Sequence, residues 1–392
     1  MDFRFTPEEE AFRQEVRAFL DRHLPPDWED QFPLETEEGV EALWAFARGL
    51  QREMGRRRWL ALAWPPEYGG LGAPIMQQVV FHEELGYRRA PTLGLNMGVY
   101  WVGPTLMRYG TEEQKRRFLP PIASGEEVWC TLYSEPGAGS DLASLQTRAV
   151  LEGDSWVIHG QKVWASMAHR VHWGWLAART DPTAPKHKGI SLFIVPMNAP
   201  GITIRPLINL AGHHGFNQVF FNNVRLPRDH LVGEVNRGWY LMAVSLDFER
   251  TSIATVARTH ALWDTLVAWA RSLPPGAVSP SAWGALAERR IEIGVGRLLS
   301  YWVASLQASG RVPNYEASIA KLFASEVSQR VADTGLRLLG LYGQLMPGSR
   351  RAILKGRITR AFLTSIAATI GGGTSEIQRT IIAQRGLGLP RG

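Results

Sequence analysis

Apolar residues recur at helical spacing through the first third of the chain. Phe12, Val16, Phe19 and Leu20 trace one face. The run opens with Thr6 and Pro7, and Glu9 follows three residues after the threonine. That is a capping box with proline at the first helical position. A second helix start lies at Thr111, and its helix is expected to stop at Pro120 and Pro121. From about Val128 the period changes. Runs such as "SWVIHGQKVWAS", "GISLFIVP" and "NQVFFNNVRLP" are rich in Val, Ile, Phe and Trp and broken by Gly, Pro and Asn. That pattern predicts short strands. Their close spacing predicts a small antiparallel β-barrel or sandwich. After Gly238 the helical period returns. "TSIATVARTHALWDTLVAWA", "AWGALAERRIEIGVGRLLSYWVASLQAS" and "YEASIAKLFASEVSQRVADTGLRLLG" predict long helices, with a break at Pro274–Pro280. Long helices side by side make a bundle. The expected fold is α+β: an N-terminal α-helical domain (1–128), a β domain (129–235) and a C-terminal four-helix bundle (236–392).

Composition narrows the class. The 392 residues are 45% hydrophobic and 20% charged, enough for two or three packed cores. No apolar run reaches the roughly 18 residues of a membrane span. The opening "MDFRFTPEEEAFRQEVRAFL" is acidic and polar, unlike a targeting leader, so a cytoplasmic location is expected. A single cysteine, Cys130, excludes an internal disulfide framework and a thiolate metal cluster. The net charge of +6 is spread over short clusters such as Arg88-Arg89 and Lys115-Arg116-Arg117. They read as solvated helix faces. Nucleic-acid binding would need one concentrated basic face on a recognisable module.

The densest chemical signal is "CTLYSEPGAGSDLASLQTRA" (Cys130–Ala149). Gly137 and Gly139 permit positive φ and close approach of a ligand to the backbone. Ser134, Ser140 and Thr147 offer hydroxyls. Further on, Trp164 and Ser166 close "GQKVWAS" at a strand end, where an indole can stack on a planar ligand beside a hydroxyl. Near the C-terminus, "TIGGGTSEIQR" sets three glycines before a helix start, a place where free N–H groups can face an anion. His213 and His214 read as loop residues just before a strand. On a strand, adjacent side chains point apart, so they are not expected to share a metal.

"SEPGAGSD", "GQKVWAS", "FFNNVRLP" and "GGGTSEIQRTIIAQRGLGLPR", in this order and spacing, resemble the acyl-CoA dehydrogenase family across nearly the whole chain. The resemblance implies bound FAD, an acyl-CoA substrate oxidised to the trans-2-enoyl-CoA, and electron-transfer flavoprotein as acceptor. It implies a role in fatty acid metabolism and β-oxidation, in a homo-oligomer (dimer or tetramer). Carried over by position, it places Tyr133, Ser134, Gly139, Ser140, Trp164, Ser166, Thr374 and Glu376 at the cofactor. It places Ser140, Asp247, Arg250 and Gly373 at the substrate.

Many family members carry the catalytic base as a glutamate at the position of Gly372. Abstracting the α-proton of a thioester needs a carboxylate in a dry site and donors at the thioester oxygen. Gly372 keeps only its backbone N–H. "SLDFERTS" supplies Glu249, and the resemblance to the isovaleryl and long-chain branches implies that the base has moved there. Asp247 is the rival carboxylate, roughly 200° away around a helix. Two further segments depart from the family. No "R-x-x-F-G" lies between the first two long bundle helices. Arg337 stands where a glutamine is usual, and it can pair with the cofactor diphosphate. These departures keep two alternatives open: a non-catalytic or half-site subunit of a hetero-oligomer with a homologue, and a flavin oxidase or monooxygenase of the same fold.

Overall fold

The computed structural model describes residues 4–34, 36–92, 97–245 and 251–390. Among the described residues, five α-helices precede the sheet: α1 (Pro7–His23), α2 (Glu37–Arg56), α3 (Ile75–Tyr87), α4 (Gly103–Tyr109) and α5 (Glu112–Ala123). The box at Thr6 forms as the sequence predicts: its hydroxyl accepts from the Glu9 N–H, and the Glu9 carboxylate accepts from the Thr6 N–H at 2.8 Å. Thr111 and Gln114 cap α5 in the same way. Helix α5 does not stop at its prolines. Pro120 and Pro121 lie inside it, in its last turn. Burial of Phe118, Leu119, Ile122 and Ala123 outweighs the lost N–H bonds, and the Pro120 carbonyl still accepts from Ser124 at 2.9 Å.

The chain divides into two compact units that do not follow chain order. One comprises Met1–Leu43, Pro74–Pro91 and Arg250–Gly392. The other comprises Trp44–Ala73 and Thr92–Glu249.

The second unit carries the strands β1 (Trp129–Leu132), β2 (Arg148–Glu152), β3 (Ser155–Ser166), β4 (Trp173–Arg179), β5 (Ile190–Pro196), β6 (Ile202–Ile208), β7 (His214–Pro227) and β8 (Leu231–Val232), followed by α6 (Gly238–Ser245). They form one eight-stranded sheet in the order β6-β7-β3-β2-β4-β5-β8, with β1 also on β4. The sheet is not purely antiparallel. β1 runs parallel to Trp173–Leu176 of β4, and β2 meets the same strand in parallel at Arg148 and Arg179. The chain between β1 and β2 is thus an excursion from one edge of β4. β4 and β5 are apolar and buried almost throughout, as strands covered on both faces must be.

The first unit contains α1, α3 and the C-terminal bundle: α7 (Ile253–Arg271), α8 (Pro280–Ala308), α9 (Tyr315–Leu339), α10 (Arg357–Ala368) and the short α11 (Ser375–Ile381). Leu266, Val327, Val331 and Ile358 are core residues shared by α7, α9 and α10. Helix α3 crosses α7 at Gly86, where an added Cβ would lie 2.5 Å from the Ala254 carbonyl oxygen. Arg13 joins Glu83 and Glu84 at 2.8 and 2.7 Å in a buried cluster that Tyr301 and Arg297 complete. Helix α7 begins at Ile253, after Ser252 in a left-handed conformation (φ 57°). Asp247, Glu249 and Arg250 lie outside the described residues.

Candidate functional site

The predicted site residues fall into two groups, each assembled within its own unit. In the sheet unit, the excursion after β1 turns sharply. Glu135 and Ala138 exchange backbone hydrogen bonds at 3.1 and 3.0 Å, leaving Pro136 and Gly137 at the tip. Neither Gly137 nor Gly139 takes the positive φ that the sequence suggests. The proline and the paired backbone close the turn without a left-handed residue. A Cβ at either glycine would meet nothing within 4 Å, so their role is open space above the backbone. Gly139 and Ser140 are exposed. Asp141 beside them holds Lys186 at 2.8 Å, and that bond keeps its carboxyl below the usual range.

This turn is fastened to β3 by a buried ion pair that the sequence reading missed. Lys162 is 0% exposed; its ammonium donates to Glu135 at 2.7 Å and to the Tyr133 carbonyl at 2.9 Å. The Glu135 carboxylate also accepts from the N–H groups of Gln146 (2.7 Å) and Thr147 (2.9 Å). Both ends of the excursion therefore converge on one carboxylate. Burial pushes the Lys162 ammonium down to about 8 against the opposing pull of Glu135. The available signal was parity. Trp156, Ile158 and Lys162 occupy alternate, inward positions of β3, so Lys162 is a cation in a core register.

Beyond Lys162 the parity breaks. The register of β3 on β7 shifts between Lys162 and Ala165, which is a β-bulge. Trp164 sits in it with φ 61°, left-handed for a bulky residue, and the residue is 61% exposed. A strained backbone and an exposed apolar side chain at one position are not explained by core packing. Phe216 braces the indole edge-on at 6.0 Å. Ser166 follows on the same strand end, paired with Phe216 in register. Val163 donates to the Ser134 carbonyl at 2.9 Å, tying the strand end to the segment after β1. The Tyr133 ring packs on Trp101 at 5.8 Å. His214 is the first residue of β7 rather than a loop residue, and its ring stacks on His169 at 3.8 Å.

In the helical unit, the glycine run links α10 to α11. Gly372 (φ 67°) and Gly373 (φ 89°) are left-handed, and a Cβ at Gly372 would meet nothing within 4 Å. The Gly373 carbonyl accepts from Lys321 at 2.7 Å, and the Gly372 carbonyl accepts from Gln378 at 3.1 Å. In a trans peptide the next N–H points the opposite way, so the Gly373 and Thr374 N–H groups are aimed away from these side chains. Thr374 caps α11 through the Ile377 N–H at 3.2 Å. Glu376 is exposed in its first turn, and the backbone N–H there keeps its carboxyl low. Arg337 is 80% exposed at the side chain and pairs with Asp333 at 2.8 Å. Lys321 and Gln378 carry no local sequence signal.

Among the described residues no group of three or more His, Cys, Asp or Glu could hold a metal ion, and no helix is long and apolar enough to cross a membrane.

Three family models match the chain: "Acyl-CoA dehydrogenase, N-terminal domain" over residues 6–126, "Acyl-CoA dehydrogenase, middle domain" over 130–224 and "Acyl-CoA dehydrogenase, C-terminal domain" over 236–387. The acyl-CoA dehydrogenase FadE26 of Mycobacterium tuberculosis is 37% identical, covering 100% of this chain and 99% of its own. Among solved structures, the Tcur3481-Tcur3483 steroid ACAD is similar at 38% identity and a TM-score of 0.90, with 100% of both chains covered. The ChsE4-ChsE5 complex from Mycobacterium tuberculosis is similar at 37% identity and a TM-score of 0.88, again with 100% of both chains covered.

Proposed function

The chain belongs to the acyl-CoA dehydrogenase family, and from that premise we propose that it binds FAD and dehydrogenates an acyl-CoA thioester to the trans-2-enoyl-CoA. The observation that carries this reading is Trp164, an exposed indole on a strained bulge of a sheet otherwise packed with buried aromatics. A flat, partly apolar redox group suits that face. The residues present fit it: open space over Gly137 and Gly139, hydroxyls at Ser134 and Ser166, and a glycine run with free N–H directions before Thr374. When bound, FAD would accept the substrate's β-hydride.

The chain's own part is to bind, orient and deprotonate. Tyr133, Ser134, Gly139, Ser140, Trp164, Ser166, Thr374, Glu376 and Arg337 would hold the cofactor. Ser140, Asp247, Arg250 and Gly373 would contact the acyl-CoA. Gly372 has no side chain to serve as base, so Glu249 would take the α-proton. The Gly372 backbone N–H would face the oxygen on which charge develops. Electrons would leave to electron-transfer flavoprotein in the cytoplasm, as in fatty acid β-oxidation.

A second reading concerns assembly. Two of the solved relatives carry paired names, Tcur3481-Tcur3483 and the ChsE4-ChsE5 complex. Helix α8 exposes Ile291 (68%), Val295 (40%) and Leu298 (49%) at helical spacing, an apolar stripe suited to a helix of another subunit. A homo-oligomer and a hetero-oligomer with a homologue both use such a stripe. The Tcur3481-Tcur3483 name includes "steroid", so a bulky steroid acyl-CoA belongs in the substrate panel beside linear and branched chains.

The test is anaerobic. Purified protein is mixed with each acyl-CoA, the visible flavin band is followed, and the product is identified by mass. Bleaching with loss of two hydrogens from the acyl chain supports the proposal. A colourless protein that turns yellow only with a co-expressed homologue would assign it a half-site. Rapid oxygen consumption without an acceptor flavoprotein would assign it an oxidase.

A further inference from the structure

The bulge that presents Trp164 needs a device to hold it. In a bulge the ladder falls out of step and the strand bends. Ala165, between Trp164 and Ser166, is the residue at which the pairing with β7 resumes, opposite Asn217. Its carbonyl accepts from a side chain there: Asn217, 0% exposed, donates from Nδ2 at 3.0 Å. Since a carbonyl only accepts, the other amide atom facing His214 is Oδ1, and the contact of 2.7 Å makes His214 Nε2 the donor. The His214 ring lies flat on His169, with centroids 3.8 Å apart and planes at 14°. His169 Nε2 in turn accepts from Arg170 Nε at 3.1 Å. The Arg170 guanidinium covers the ring of Trp44 at 5.5 Å, and Trp44 packs on the core of the sheet. A polar chain therefore runs from that core to the one carbonyl between the two residues at the strand end.

We propose that Asn217, held by the stacked His214 and His169, is a positioning residue that fixes the Trp164–Ser166 strand end in its flavin-receiving conformation. The proposal rests on the flavin role given above to Trp164 and Ser166. The chemistry is directional. Only a group with a donor on one side and an acceptor on the other satisfies both Ala165 and His214. Aspartate at 217 has nearly the same shape but sets an oxygen against the Ala165 carbonyl. Glutamine at 214 keeps a donor for Asn217, and leucine does not.

The full-length chain, stripped of flavin and titrated with FAD, provides the assay. The readouts are the dissociation constant, the visible circular dichroism of the bound flavin, and the Trp164 emission of the flavin-free protein. Because the chain has 15 tryptophans, that emission is taken as the difference from Trp164→Phe. Asn217→Asp and His214→Leu are each expected to weaken FAD about tenfold and to change the flavin dichroism. His214→Gln is expected to recover FAD binding to within about threefold of wild type. His214 is only partly buried, so its two variants decide the matter even if Asn217→Asp does not fold. Unchanged dichroism in Asn217→Asp and His214→Leu, or a His214→Gln no better than His214→Leu, overturns the proposal. If Trp164→Phe itself leaves the flavin dichroism unchanged, the flavin role of Trp164 has failed, and the proposal falls with it for that separate reason.

Discussion

Replacing Lys162 with methionine removes a cation and leaves its partner behind. Glu135 would then be a carboxylate 8% exposed, holding the Gln146 and Thr147 N–H groups but without its hydrogen-bonded cation, with Arg179 acting on it only through space. Removing one member of a buried pair costs roughly 3–5 kcal/mol. Two donated bonds, to Glu135 at 2.7 Å and to the Tyr133 carbonyl at 2.9 Å, disappear with it. The double variant Lys162→Met with Glu135→Gln carries no stranded charge. Its amide oxygen still accepts from one backbone N–H, so it should cost only about 1–2 kcal/mol. The two changes therefore partly cancel: the double variant is predicted to be more stable than the single. Urea unfolding of the flavin-free chain, followed by circular dichroism, measures this through midpoint and slope. A single variant losing less than about 1 kcal/mol, or a double variant no more stable than the single, would refute the claim that this pair fastens the turn to β3.

Three further outcomes follow from other features. The Lys162 ammonium is pushed down to about 8 from its ordinary 10.5, so between those values the unfolded chain binds more protons than the folded one. Lys162 thus makes stability rise with pH over that window, and the gap between wild type and Lys162→Met should widen from about pH 8 to pH 10. At position 164 (φ 61°), glycine should be more stable than alanine by about 1 kcal/mol, because only the left-handed strain differs, while both weaken FAD. Equal stabilities would mean that the bulge relaxes. Gly86→Ala would set a methyl 2.5 Å from the Ala254 carbonyl oxygen, and thermal unfolding should show a loss of about 1–3 kcal/mol as α3 is pushed off α7.

Helix starts were legible because their signals are local: Thr6 with Glu9 and Thr111 with Gln114 each form the expected box. The change of period near Val128 and its return after Gly238 also correspond to the sheet and the bundle. Non-local features were not legible. The parallel pairing of β1 and β2 with β4 depends on which edges meet, which no run of residues encodes. Pro120 and Pro121 looked like a stop because local chemistry disfavours them, but the buried face of α5 prevails. Residue type singled out Trp164 and the glycine run as candidates but not the side chains that contact them. Asn217, Lys162 and Lys321 act through partners 52, 27 and 52 residues away. Gly137 shows the converse error, since a glycine that permits positive φ need not adopt it.

The account turns on where the α-proton goes. Gly372 offers no carboxylate, and Glu249 is the proposed base. Stopped-flow mixing of FAD-loaded Glu249→Gln with a substrate acyl-CoA, without oxygen, tests this directly. General-base assistance contributes about 10²–10⁴-fold. The variant is therefore predicted to keep its yellow colour and its affinity for acyl-CoA while flavin reduction slows by that factor or more. Reduction at close to the wild-type rate would contradict the assignment and require a different proton acceptor.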